Sequence, residues 1–166
     1  NYMTNASGSS NYTDWKGWLE SSFCKFSKYQ KNYFDAEILP HLSSCNNVTI
    51  LEVGYGNGVF LGWCLSKKYH IQGIEVIPEL VRRAIESGIP AYDSIYSQEL
   101  SNSISSIDLI VAFDVLEHIP DSDLSHFVKR VGQLLKEGGR FVFRIPNGDS
   151  PFGLPYQNGD HEDERQ

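Results

Sequence analysis

Ile50-Leu51-Glu52-Val53-Gly54-Tyr55-Gly56-Asn57-Gly58 carries an apolar strand through an acidic residue into three alternating glycines. It then opens onto the helix-like run Val59-Phe60-Leu61-Gly62-Trp63-Cys64-Leu65. Glycine tolerates positive φ and has no side chain, so such a turn lets a ligand lie against bare backbone at the carboxyl end of a strand. A dinucleotide-binding turn needs the spacing G-x-G-x-x-G. Counted from Gly54, its last position falls on Val59, and the third glycine comes one place early, at Gly58. Glu52 also fits poorly beside a pyrophosphate, because a carboxylate repels an anion held at a helix N-terminus. The turn suits a ligand with positive charge and no phosphate.

Strands and helices alternate outward from this turn, which predicts an α/β fold with an open, mainly parallel sheet and helices on both faces. Residues 48–53 form the first strand and 58–68 its helix. Residues 70–75 form the second strand, followed by a helix opened by Pro78. A short third strand fits Ala91-Tyr92. The apolar run 107–113, broken only by Asp108, reads as a central strand buried on both faces. A helix from Asp121 or Asp123 to Lys136, closed by Gly138-Gly139, precedes a fifth strand over 140–145. Ahead of the core, aromatic residues recur at helical intervals between Trp15 and Phe34, and Pro40 ends that stretch. The stripe has two readings, core packing or a lid over the site with Tyr29 or Tyr33 reaching the ligand. The chain thus divides into a flexible leader (1–13), a helical lid or cap (14–46), a ligand-binding core (47–146) and an irregular tail (147–166).

Composition narrows the function. The chain has 166 residues, enough for one domain that buries roughly two-thirds of its unfolded surface. A formal net charge of −7 disfavours nucleic acid as a partner, since phosphate binding relies on clustered Lys and Arg. No window is apolar for long enough to span a membrane, and the Asn/Ser-rich start lacks the basic and apolar regions of a signal peptide. Cys24, Cys45 and Cys64 are odd in number and show neither a disulfide framework nor metal-ligand spacing. A cytoplasmic location and no metal are therefore expected.

The remaining chemistry gathers at strand ends. Glu75 closes the second strand seventeen residues after Gly58, where a carboxylate can accept from ribose hydroxyls. The other reading is a solvated glutamate on a loop. Phe113-Asp114-Val115-Leu116-Glu117-His118-Ile119-Pro120 follows the fourth strand, beside the glycine turn if the first and fourth strands are neighbours. That crevice is where open α/β sheets bind ligands.

These segments together resemble class I S-adenosylmethionine (SAM) dependent methyltransferases, which have a Rossmann-like fold. Glu52 to Gly58 is similar to their first motif, and Asp114 to His118 resembles the D-x-L-E-H signature of ubiquinone-type enzymes. Leu134-Leu135-Lys136-Glu137-Gly138-Gly139 resembles L-K-P-G-G, with Glu137 in place of the proline. Stretches at 33–37, 78–81 and 144–153 resemble bacterial methyltransferases associated with polysaccharide genes. The resemblance implies a SAM site built from Glu52, Gly54, Tyr55, Gly56, Gly58, Glu75, Val76, Ile77, Asp93, Phe113 and Asp114. In it Asp93 would accept from the adenine amino group, or serve only as a turn residue.

The implied reaction is methyl transfer to a small-molecule or saccharide acceptor, on oxygen. His118 is a candidate base and Asp114 a catalytic residue of the same motif, because an imidazole ordinarily titrates near neutrality. Alternatively, Glu117 and His118 cap the next helix or bond backbone behind the site. His161 is a second candidate base. A non-catalytic SAM-binding module or partner subunit is the competing function. The family sheet has seven strands, and only 21 residues follow Ile145. The expectation is a core without the last hairpin, whose fifth strand is an exposed edge through which the chain forms a homo-oligomer, unless the tail from Pro146 to Gln166 folds back and covers it.

Overall fold

A computed structural model of the chain describes residues 22–42 and 47–146. The leader, the tail with its expected lack of a hairpin, Cys45 and His161 lie outside the described residues. Five strands follow the predicted alternation: β1 (Thr49–Val53), β2 (His70–Ile74), β3 (Ala91–Tyr92), β4 (Ile107–Phe113) and β5 (Leu135–Arg144). All pairings are parallel, and the order is β3-β2-β1-β4-β5. The central place of β1 follows from its composition. Side chains alternate across a strand, so Ile50 enters one core layer and Leu51 the other, both fully buried.

Helices α1 (Lys28–Glu37), α2 (Val59–Ser66) and α3 (Pro78–Glu86) supply the first layer through Phe34, Phe60, Trp63 and Leu80. Helix α4 (Asp121–Leu134) supplies the second with Phe127, Val131 and Leu134. Full burial of each large apolar side chain contributes about 1.5–3 kcal/mol.

The start of α1 is set by a capping box. The Gln30 amide donates to Ser27 Oγ at 3.1 Å, and the Ser27 amide donates to Gln30 Oε1 at 2.8 Å. Such a cap is worth about 1 kcal/mol. Asp35 fastens α1 to α2, accepting from Trp63 Nε1 at 3.0 Å and pairing with Lys67 at 2.9 Å and Lys31 at 2.6 Å. Members of the aromatic stripe differ in burial. Phe34 belongs to the core, whereas Tyr29 is 80% exposed.

The junction of α4 and β5 departs from expectation. The helix ends at Leu134 rather than Lys136, and β5 begins at once with Leu135. Leu135 pairs with Ile107, and the ladder slips before Arg140 meets Leu109. Pairing to β4 therefore overrides helix continuation, and Gly138 at φ +74° absorbs the irregularity. Asp108, the one break in the β4 run, explains itself here. It accepts from the Thr49 amide at 2.8 Å and pairs with Lys136, tying together the starts of three strands.

Candidate functional site

The three glycines of the turn adopt φ of +71°, +52° and +74° at Gly54, Gly56 and Gly58, a region that side chains strain to enter. Gly54 donates to the Ile74 carbonyl at 2.7 Å, so the turn leaves β1 against the end of β2. On its other side, a Cβ at Gly54 would stand 2.6 Å from Val115 Cγ2. The loop after β4 thus closes on the glycine turn, and β1 and β4 are neighbours, as a crevice between their ends requires.

Glu75 lies just beyond β2 and is buried, so it is not a solvated loop glutamate. It accepts from the Gly56 amide at 3.0 Å through Oε2, and from the Val76 and Ile77 amides at 2.8 and 3.3 Å through Oε1. Burial raises its pKa, and these three amides work against the rise. A carboxylate offers about four acceptor positions. Three are used, so accepting both hydroxyls of a ribose requires one amide, the distant one of Ile77 first, to yield.

Glu52 is 4% exposed, and its Oε2 has no hydrogen-bond partner among the described residues. Burial and the neighbouring Glu75 carboxylate push its pKa well up, opposed by a hydrogen bond from the Leu61 backbone near the start of α2. Asn57 Oδ1, in the turn that follows β1, is another buried acceptor without a partner among the described residues. Two unanswered acceptors at one turn leave a place for a donor-rich, positively charged group.

The other predicted residues are distributed around this centre. Tyr55 turns its side chain into the core, where its ring lies over Gly73 and its hydroxyl donates to the Leu80 carbonyl at 3.1 Å. Only its backbone belongs to the turn. Ile77 is buried, Val76 is 57% exposed, and the exposed Asp93 accepts from the Ser97 hydroxyl at 3.1 Å.

Past β4, Asp114 holds a left-handed φ of +56° and forms a forked pair with Arg144 at the end of β5. Its oxygens lie 2.5 Å from Nη2 and 3.2 Å from Nε. The Arg144 guanidinium lies over the Phe113 and Tyr33 rings, 5.2 and 5.8 Å from their centroids, so Tyr33 joins this mouth of the crevice. His118 ends the short 3-10 turn Leu116–His118 and is exposed. The capping alternative for Glu117 and His118 fails, since α4 takes Pro120 as its N-cap residue and has no side-chain cap.

Sequence reasoning named residues 14–46 as a lid or cap but not the contacts that its Phe23 and Cys24 make with the turn. Cys24 donates its amide to the Asn57 carbonyl at 3.0 Å, and the Phe23 ring meets Tyr55 edge-on at 6.3 Å. Burial and Glu52 push the Cys24 thiol up to about 11. Only Gly62 hinted at this contact, being a glycine inside a helix. The Asn57 side chain and the Arg144 pair carried no local signal. Among the described residues no group of three His, Cys, Asp or Glu side chains is placed to hold a metal ion. No helix among them is long and apolar enough to cross a membrane. A polar cleft lined by Pro40, His41, Asp108, Lys136 and Arg140 lies by the opposite ends of β4 and β5 and contains none of the predicted site residues.

The chain is similar to known methyltransferases. It is 33% identical over 109 residues to the ubiquinone biosynthesis O-methyltransferase of Xylella fastidiosa strain M23, a match covering 61% of this chain and 44% of that protein. It is 29% identical over 132 residues to phosphoethanolamine N-methyltransferase 1 of Zea mays, covering 76% of this chain and 25% of the other. The chain thus spans less than half the length of these relatives. A SAM-dependent methyltransferase structure from Archaeoglobus fulgidus superposes with a TM-score of 0.64 at 20% identity, covering 82% of this chain and 61% of that one. At that identity the likeness is one of fold. A family described as "Methyltransferase domain" matches residues 26–166, a span that contains the glycine turn, both buried glutamates and all five strands, and the chain belongs to that family.

Proposed function

We propose that the crevice binds SAM and that the chain transfers its methyl group to an oxygen of a small molecule. The observation that carries the reading is a pair of buried acceptors without partners among the described residues, Glu52 Oε2 at the end of β1 and Asn57 Oδ1 in the turn of three positive-φ glycines that follows. SAM fits it, bearing an ammonium, a sulfonium and a ribose but no phosphate. When bound, SAM supplies a methyl group activated by positive charge on sulfur. The chain's task is then to hold the two reactants in line and exclude water.

Glu52 and Asn57 would take the cationic end and Glu75 the ribose, with the exposed Val76 and buried Ile77 beside the base and Asp93 at its edge. Arg144, Asp114, Phe113 and Tyr33 form the wall nearest the acceptor. The segment from Phe23 through α1 serves as the cap. The exposed His118 is the candidate base if the acceptor is a hydroxyl.

Oxygen as the acceptor atom is supported by the O-methyltransferase relatives, and the maize N-methyltransferase marks nitrogen as the outcome to be tested against it. A saccharide acceptor and pairing of two copies along β5 belong to the same proposal. Phe143 and Ile145, each about half exposed, lie on that strand and just past it. The experiment is calorimetric titration of the chain with SAM and NAD, followed by incubation with methyl-labelled SAM and a metabolite extract. SAM binding with label transferred to an oxygen supports the reading. NAD binding in preference to SAM refutes it, and SAM binding without transfer favours a non-catalytic SAM-binding module.

A further inference from the structure

Glu52 stands out because, among the described residues, no positively charged side chain answers its charge. It is held in the centre of the sheet, opposite Gly73 on β2 and Val111 on β4, at 4% exposure with Oε2 unpartnered. Among the described residues, the titratable groups that interact with it are Glu75 after β2, Tyr55 in the turn, Cys24 in the covering segment and Cys64 on α2. None of them carries positive charge, and Glu75 opposes ionisation directly. Among the described residues the relief comes from the Leu61 backbone hydrogen bond. An ionised carboxylate in such a place costs far more than a neutral carboxyl.

We propose that Glu52 makes this site selective for a positively charged ligand by releasing a proton as the ligand enters, being a neutral carboxyl in the free chain and a carboxylate in the complex. The inference rests on the SAM reading above. The balance is simple: the O–H bond of the Glu52 carboxyl breaks, the proton leaves to solvent, and the cation of the ligand takes its place beside the oxygen. A neutral ligand in the same crevice gives the carboxyl no reason to ionise.

The same charge economy acts on the free chain. A carboxyl whose folded pKa is raised contributes its full stability below the unfolded value of about 4.3 and loses it as pH rises through the folded pKa. Ligand-free stability should therefore fall on raising the pH from 4, and Glu52→Gln should lessen that fall, leaving the share of Glu75, whose pKa burial also raises.

The test is calorimetry of SAM, S-adenosylhomocysteine and adenosine between pH 5 and 7, each in two buffers of different ionisation heat. Where the free chain holds the proton, one-for-one release makes the SAM Kd fall about tenfold per unit rise in pH. Adenosine, which has no cation, should bind with no proton release. In Glu52→Gln the SAM Kd should be flat over this range. Proton release with both SAM and its homocysteine product would name the ammonium as the partner, and release with SAM alone would name the sulfonium. Either supports the inference.

SAM binding by the wild type without proton release overturns the inference and leaves the SAM reading standing. Equal release with adenosine, or release that persists in Glu52→Gln, also overturns it. Failure of the wild type to bind SAM at all overturns the SAM reading and the inference with it. Should Glu52→Gln fail to fold, the wild-type titrations in two buffers still decide.

Discussion

Replacing Gly62 with alanine sets two opposing effects against each other inside α2. By helix propensity alone the change should stabilise by about 1 kcal/mol. The new Cβ, however, would lie 1.8 Å from the Cys24 carbonyl oxygen and 2.7 Å from its carbon, a collision with backbone that no rotamer change relieves. The covering segment must retreat by more than an ångström or the helix must shift.

Overpacking of this kind costs about 1–3 kcal/mol if the segment stays in place. If it lifts away instead, the chain loses the Cys24–Asn57 hydrogen bond, about 1 kcal/mol, and the Phe23–Tyr55 ring contact, about 0.5–1.5 kcal/mol. The cheaper response sets the ceiling. After the propensity gain, the expected net destabilisation is about 0.5–1.5 kcal/mol, or about 2–6 °C in Tm. Urea unfolding measures the energy, and peptide-resolved alkylation measures how far Cys24 becomes accessible. A Gly62→Ala chain that is stabilised by about 1 kcal/mol with Cys24 as protected as before would refute the close approach of Cys24 to α2.

Glu75→Ala should both weaken SAM binding and destabilise the free chain, because the amides of Gly56, Val76 and Ile77 lose their acceptor; each unmade bond costs about 1–3 kcal/mol where buried. Glu75→Gln keeps one acceptor oxygen and should lose less on both measures, and unchanged SAM affinity in both variants would place the ribose elsewhere. Gly56→Val should abolish SAM binding in calorimetry, since a branched residue resists a φ of +52° and fills the space beside the Glu75 carboxylate. Lys31, Lys67 and Trp63 hold the Asp35 carboxyl well below its usual range, so the stability it lends is present above the unfolded value of about 3.9 and fades as pH falls below it. Acid titration monitored by circular dichroism should show that loss in the wild type and not in Asp35→Asn. His118→Ala should lower the rate of methyl transfer to a hydroxyl acceptor by about 10²–10⁴-fold while SAM affinity holds; an unchanged rate would remove it as the base.

Much of the fold was legible because the determining signals are local. The apolar run of β4 was placed at the residues observed, and β1 and β2 to within a residue or so. A buried strand must be apolar on both faces, and glycine and proline mark its ends. The junction of α4 with β5 was misjudged, because helix periodicity through Leu134-Leu135 continues on paper and only pairing of Leu135 with Ile107 ends it. Of the acidic residues at the ends of β1 and β2, Glu52 was named from its charge beside the glycine turn and Glu75 from its spacing, and the family resemblance gave both their place in the site.

What sequence by itself determined is therefore the alternation of strands and helices, the glycine turn and the residue types gathered at strand ends. All depend on neighbours within a few positions of one another. Tertiary structure alone decided which groups are left without partners. That Glu75 already holds three amides, that Glu52 and Asn57 retain unanswered oxygens, that Asp114 is engaged by Arg144 thirty residues on, and that Cys24 lies over Gly62 are facts of packing. Burial and hydrogen-bond satisfaction are sums over every element that meets at a point. No stretch of chain specifies them until the sheet has brought its distant strands side by side.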